Sequence, residues 1–217
     1  MNIAYALLAG LLPALLWLIF WLREDNLHPE PRSLVAGTFL SGMVVVVIAV
    51  FLEKYAADII ADEKYRYIAW AAIEEIVKFL AVALIALKSR YMDEPVDAMI
   101  YCITVALGFA ALENALFILS PLDTGDITRS IVTGNMRFIG ATLVHTVCSA
   151  TVGFMIGLSF YKNAFLKTIS LLFGVILAVA LHASFNLSII NETVTNTLKV
   201  FGWVWLAVVI LIILFEE

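Results

Sequence analysis

The sequence predicts an all-α integral membrane protein, a bundle of about seven transmembrane helices. Three observations carry that expectation. Hydrophobic residues make up 63% of the chain against 14% charged, and the mean hydropathy is +1.01. Apolar runs long enough to cross roughly 30 Å of hydrocarbon recur from end to end. These runs and their short connections use all of residues 1–217, so a single transmembrane domain is expected.

Span one is read at 3–22. No basic residue precedes it and no small-residue cleavage signal follows, because Leu22 leads straight into Arg23, Glu24 and Asp25; it reads as a retained helix. A polar loop, Arg23 to Ser33, holds two prolines and His28, which reads as a surface residue. Span two (34–52) ends at the polar segment Glu53 to Arg66, and span three (67–87) at Lys88 to Pro95. Span four (97–119) is followed by Ser120 to Arg137, span five (138–160) by Tyr161 to Lys167, and span six (168–190) by Asn191 to Leu198. Span seven covers 199–215.

An odd number of crossings puts the termini on opposite faces, and the N-terminal face is called side A here. Basic loop residues divide evenly between the two faces, so the positive-inside rule gives no orientation. A formal charge of -5 with no basic block excludes a nucleic-acid partner, which needs clustered Lys and Arg to displace counterions. Cys102 and Cys148 fall inside spans and read as small buried hydrophobes. No internal or inverted repeat is visible, which disfavours transporter folds built that way.

Against this apolar background, six ionisable residues stand inside spans: Glu74, Glu75 and Lys78 in span three, Glu113 in four, His145 in five and His182 in six. Each such group costs roughly 2.5–3.5 kcal/mol to insert, so each needs a partner, a wet cavity or a function. Their depths coincide. At 1.5 Å per residue Glu74 and His145 lie about 10 Å from side A, Glu113 about 9 Å and His182 about 12 Å. Four helices of alternating direction therefore deliver titratable groups to one layer. Glu74 and Lys78 are spaced i, i+4 with the acid first and can neutralise each other. That leaves Glu75 and Glu113 without a local cation. Helical spacing adds Phe109 to the face of Glu113 and Asn186 to that of His182, while Asn114 adjoins Glu113. Asn186 lies one turn nearer side A, where its amide could donate to an oxyanion or hydrogen-bond another helix. Gly153 and Gly157 form a small-xxx-small pair suited to close helix packing.

Two histidines and a glutamate are a recurrent ligand set for catalytic zinc. In that scheme Glu113, His145 and His182 hold the metal and Glu74 or Glu75 takes a proton from the attacking water. A metal-free scheme has glutamate and histidine activate water directly, with Asn186 stabilising the tetrahedral intermediate. The metallo type is slightly favoured, and spacing leaves both open because the ligands come from three helices. Either scheme requires a polar cavity open to side A.

Four short motifs occur in order in successive spans: Glu74-Glu75-Ile76-Val77-Lys78 (E-E-x-x-K), Phe109 to Asn114 (F-x-x-x-E-N), Arg137 to His145 (R-x7-H) and His182 to Asn186 (H-x-x-x-N). Together they resemble the PrsW family of bacterial intramembrane proteases, distant relatives of the CAAX prenyl endopeptidases and of the APH-1 subunit of γ-secretase. The match includes the loop Asp25 to Arg32, where His28 stands in place of an expected glutamate. The resemblance implies a multi-pass protein of the bacterial cell membrane that cleaves a single-span, membrane-anchored anti-sigma factor at its outward-facing part. Side A, with the N-terminus and the site, would then be outside. It also marks Lys78, Asn114, Arg137 and Asn186 as supporting residues. A non-catalytic scaffold and an ion-coupled transporter are the competing readings; retention of the carboxylate pair opposes the first, and the single layer of charges opposes the second. A prenyl-protein endopeptidase would instead need the site to face the cytoplasm.

Overall fold

The computed structural model describes residues 2–24, 29–190 and 194–216. The expected surface residue His28 lies outside the described residues, as do Asp25 to Leu27 and Asn191 to Thr193. Every regular element among the described residues is helical: α1 (Asn2–Glu24), α2 (Arg32–Ile59), α3 (Glu63–Ile85), α4 (Pro95–Asp123), α5 (Ile127–Met136), a π-helical turn (Arg137–Ala141), α6 (Thr142–Leu158), α7 (Ala164–Ile190) and α8 (Val194–Glu216).

Five stretches are long and apolar enough to cross a membrane: Asn2–Arg23, Arg32–Ile59, Pro95–Asp123, Ile127–Leu158 and Ala164–Ile189. α3 falls short of that test because Glu74, Glu75 and Lys78 interrupt its apolar run, and the described apolar part of α8, Leu198–Ile213, is shorter. Rows of exposed Leu, Ile and Phe, such as Leu172, Phe173 and Ile176 on α7, are the surface a bilayer would cover.

Two segments read as polar loops are largely helical. α2 runs on through Glu53 to Ile59, and Ser120 to Arg137 contains the end of α4 and all of α5. Capping explains the second: the Asp126 carboxylate accepts from Arg129 N at 2.9 Å, restarting a helix after Gly125 takes a φ of +80°. Asp62 likewise caps α3 by accepting from Tyr65 N, and Glu94 with Asp97 forms a capping box around Pro95 at the start of α4.

α4 is the axle of the bundle, buried along most of its length and packed on α1, α2 and α6. Its sequence is apolar on every side, which is what a fully enclosed helix requires. Glycines set the spacing. A Cβ on Gly42 would collide with the Val105 carbonyl and the Phe109 amide, and one on Gly108 with the Phe39 carbonyl, so α2 and α4 cross backbone to backbone. Gly153 and Gly157 seat α6 against Ala98, Met99 and Pro95 in the same way. Cys102 and Cys148 are free and buried in this core.

Candidate active site

Four helices converge on one buried cluster in the side-A half of the bundle. α3 presents Glu74, Glu75 and Lys78 within little more than one turn, exposed by 6%, 2% and 1%. α4 brings Phe109, Glu113 and Asn114, α6 brings His145, and α7 brings His182 and Asn186. The two imidazole rings meet edge to face at 5.0 Å.

Each histidine is held by a carboxylate behind it. His182 Nδ1 donates to Glu75 Oε1 at 2.7 Å, and the Lys78 ammonium donates to the same oxygen at 2.6 Å. His145 Nε2 donates to Glu113 Oε2 at 2.9 Å, and the Arg137 guanidinium donates to that oxygen as well. Arg137 Nε reaches Asn114 Oδ1 at 2.6 Å, and Asn114 Nδ2 reaches Thr142 Oγ1 at 2.9 Å, tying α4 to the start of α6. These bonds fix both tautomers: His182 turns its Nε2 lone pair, and His145 its Nδ1 lone pair, toward the third carboxylate.

That third carboxylate is Glu74. Its Oε2 lies 3.8 Å from His145 Nδ1 and 3.8 Å from His182 Nε2, is fully buried, and has no hydrogen-bond partner among the described residues. It lines a cavity of about 980 Å³ together with Glu113, His145, His182 and Asn186. Glu74 Oε2, His182 Nε2 and His145 Nδ1, three lone-pair donors near one point, suit an electropositive centre. Glu74, His145 and His182 are also the group of three whose ligand atoms lie within 4.8 Å of one another, so they fit a metal ion. Lys78 Nζ stands 3.1 Å from His145 Nδ1 and competes for that lone pair; with Glu75 Oε1 only 2.6 Å away, the ammonium has an alternative partner.

The geometry changes the expected parts. The carboxylate that groups with the two histidines at ligand spacing is Glu74; Glu113, expected as the third ligand, has its Oε2 bonded to Arg137 and His145. Lys78 pairs with Glu75 at i, i+3 and not with Glu74 at i, i+4, and Glu113 has a cation after all in Arg137, from another helix. Glu75 is turned from the cavity toward Lys78 and His182, leaving Glu74 as the α3 carboxylate that water can reach. Phe109 borders the cavity and carries the Lys78 ammonium 5.2 Å over its ring.

Two contributions went unread in the sequence. Glu53 faces Glu74 from α2 and lines the cavity; hydropathy ends the span just before it, whereas Val46, Ala49, Val50 and Glu53 carry the i, i+3, i+4, i+7 signature of one helix face. The π turn at Arg137–Ala141 was not foreseen either. In a regular α-helix eight residues advance about 800°, leaving Arg137 about 80° off the face of His145. The wider i→i+5 turn absorbs about one residue and brings both onto the same Glu113 oxygen.

Comparison with known proteins agrees with these motifs. The model of the PrsW family intramembrane metalloprotease matches residues 30–215. A protein named Protease PrsW from Geobacillus kaustophilus (strain HTA426) is 30% identical over 152 residues, 69% of this chain and 64% of that protein. The chain thus spans just under two thirds of that relative's length. Protease PrsW of Clostridioides difficile (strain 630) is 26% identical over 193 residues, covering 85% of this chain and 79% of its own. That of Bacillus subtilis (strain 168) is 22% identical over 181 residues, covering 82% and 79%. No solved structure matches the chain.

Proposed function

The chain belongs to the PrsW family of intramembrane metalloproteases, and from that premise we propose that it hydrolyses a peptide bond in a single-span membrane protein, with Glu74, His145 and His182 at the reacting centre. One observation carries this reading: a buried carboxylate oxygen without a partner faces two oriented imidazole lone pairs on the wall of a cavity at membrane depth. The same three residues would hold a zinc ion, which in such a ligand set supplies a bound water of lowered pKa.

The surrounding residues have defined tasks. Glu75 and Glu113 orient His182 and His145, and Arg137 and Asn114 hold Glu113 in turn. In the metal-free variant of the chemistry, Glu74 takes the proton from water directly. Asn186, on the cavity wall one turn from His182, is placed to donate to a developing oxyanion. Seven crossings of one transmembrane domain, side A outward in a bacterial cell membrane, and an anti-sigma factor cut at its outward-facing part complete the proposal. A site in the side-A half of the bundle supports it.

Turnover of a single-span substrate in reconstituted liposomes tests this reading. Glu74→Gln and His182→Ala should each lower it by at least about a hundredfold, the range of a lost general base. Glu75→Gln and Glu113→Gln keep an oxygen for each imidazole but remove its charge, and should lower turnover about 10–100-fold with helical content unchanged. Normal turnover in all four variants would end the proposal.

A further inference from the structure

The cluster is enclosed toward lipid on most sides, and a membrane-bound substrate needs a way in. The side-A halves of α2 and α4 provide it. Below, the two helices are locked together where Gly42 and Gly108 meet opposing backbone. Phe109 and Leu112 of α4 still share a cluster with Val46 and Ala49 of α2, and beyond them the two helices take different partners. α2 turns to α3, where Trp70 Nε1 donates to the Glu53 carbonyl at 3.0 Å and Val46 and Ala49 pack on Val77. α4 turns to α1, which approaches Ala111 and Ala115 at Gly10 and whose Asn2 amide donates to Leu122 O at 3.3 Å. α1 shares a core cluster with α2 through Leu18, Trp21, Val35 and Phe39, toward the side-B ends of both helices and away from the gap.

Both walls of that gap belong to the active-site cavity: Val46, Ala49, Val50 and Glu53 from α2, and Phe109, Glu113, Leu116, Phe117 and Ser120 from α4. The rim is apolar and faces outward, with Val50 exposed by 45%, Leu116 by 43% and Phe117 by 51%. Arg137 stacks 3.9 Å over the Phe117 ring, and Glu53 borders the same cavity. At the side-A end the cavity is bordered by Arg129 of α5. The structure assigns lateral substrate entry to the gap between the side-A halves of α2 and α4, through which an apolar transmembrane segment with an acidic residue at its side-A flank reaches Glu74.

The chemistry of the gap selects that occupant. An apolar segment satisfies the rim at lipid depth, its backbone carbonyls find donors only inside, and its acidic flank meets the Arg129 guanidinium. The inference rests on the protease reading for its purpose but can be tested apart from it. The full chain carrying Glu74→Gln is reconstituted with a photoreactive benzoylphenylalanine at Val50, Phe117 or the lipid-facing Ile176. The probe is a synthetic single-span peptide of about 20 leucines and alanines with an Asp-Glu or a Lys-Lys flank.

Cross-linking from Val50 and Phe117 should exceed that from Ile176 about tenfold, equivalent to roughly 1.4 kcal/mol, and should favour the acidic flank. In the otherwise unaltered chain, Val50→Trp and Leu116→Trp should slow cleavage about tenfold while Ile176→Trp leaves it within about twofold. Equal labelling from Ile176, or lip variants that cleave at the parental rate, would overturn the portal. If the parental chain cleaves neither peptide, the protease reading fails by itself, and the cross-links still decide where a transmembrane segment docks.

Discussion

Removing the Lys78 ammonium while keeping its volume is the sharpest test of the network behind the site. Lys78→Met leaves the Glu75 carboxylate, whose side chain is 1% exposed like that of Lys78 itself, without its cation. His182 Nδ1 remains as its single donor. Breaking a buried ion pair from one side costs about 3–5 kcal/mol, because a charge is left uncompensated. Replacing both partners should cost far less. In Lys78→Met with Glu75→Gln, the amide oxygen still accepts from His182, no charge is stranded, and the double variant should recover about 2 kcal/mol or more of the loss. Unfolding in mixed micelles by titrated denaturing detergent, followed by helical circular dichroism, measures all three stabilities. A single variant within about 1 kcal/mol of the parent, or a double variant no more stable than the single, would show that the pair is not the electrostatic unit drawn here.

The ligand set and the π turn give two further tests. Elemental analysis of purified protein should find one zinc per chain, lost in Glu74→Gln and in His182→Ala but kept in Glu113→Gln; zinc lost in the Glu113 variant and kept in the Glu74 one would restore Glu113 as the ligand. Deleting Ile139, which faces outward, shortens the Arg137 to His145 spacing to seven residues, about 20° from whole turns of an α-helix. Cleavage should then survive within about tenfold, whereas inserting an alanine at the same place turns Arg137 a further 100° or so and should abolish it. The opposite ranking would refute the phase argument.

The sequence carried the helical class and the common depth of the charges, because both depend on quantities local to the chain: apolar run length and rise per residue. It did not carry which carboxylate faces which cation. Glu113 looked unpaired since its cation, Arg137, comes from another helix through a turn whose extra residue leaves no mark in a hydrophobicity pattern. Lys78 was matched to Glu74 by the i, i+4 rule, which describes isolated helices; in the bundle His145 draws the ammonium toward Glu75. Loop boundaries at Glu53 and Ser120 failed for a related reason. Helices continue past the apolar run when the membrane face ends before the helix does.

The arrangement of polar and apolar layers also separates an enzyme from an ion-coupled transporter. A transported ion needs polar groups on both sides of the midplane. Every residue bordering the active-site cavity lies in the side-A half of its helix or nearer that face. Directly beneath, Val82, Tyr101, Cys102, Val105, Cys148, Val152 and Ala178 pack into a core with each side chain at most 4% exposed. The Tyr101 hydroxyl is directed to Glu30 near side B, away from the cluster. A cavity near side A with a close-packed, mainly apolar layer beneath it suits hydrolysis of a bond better than passage of an ion to the other face.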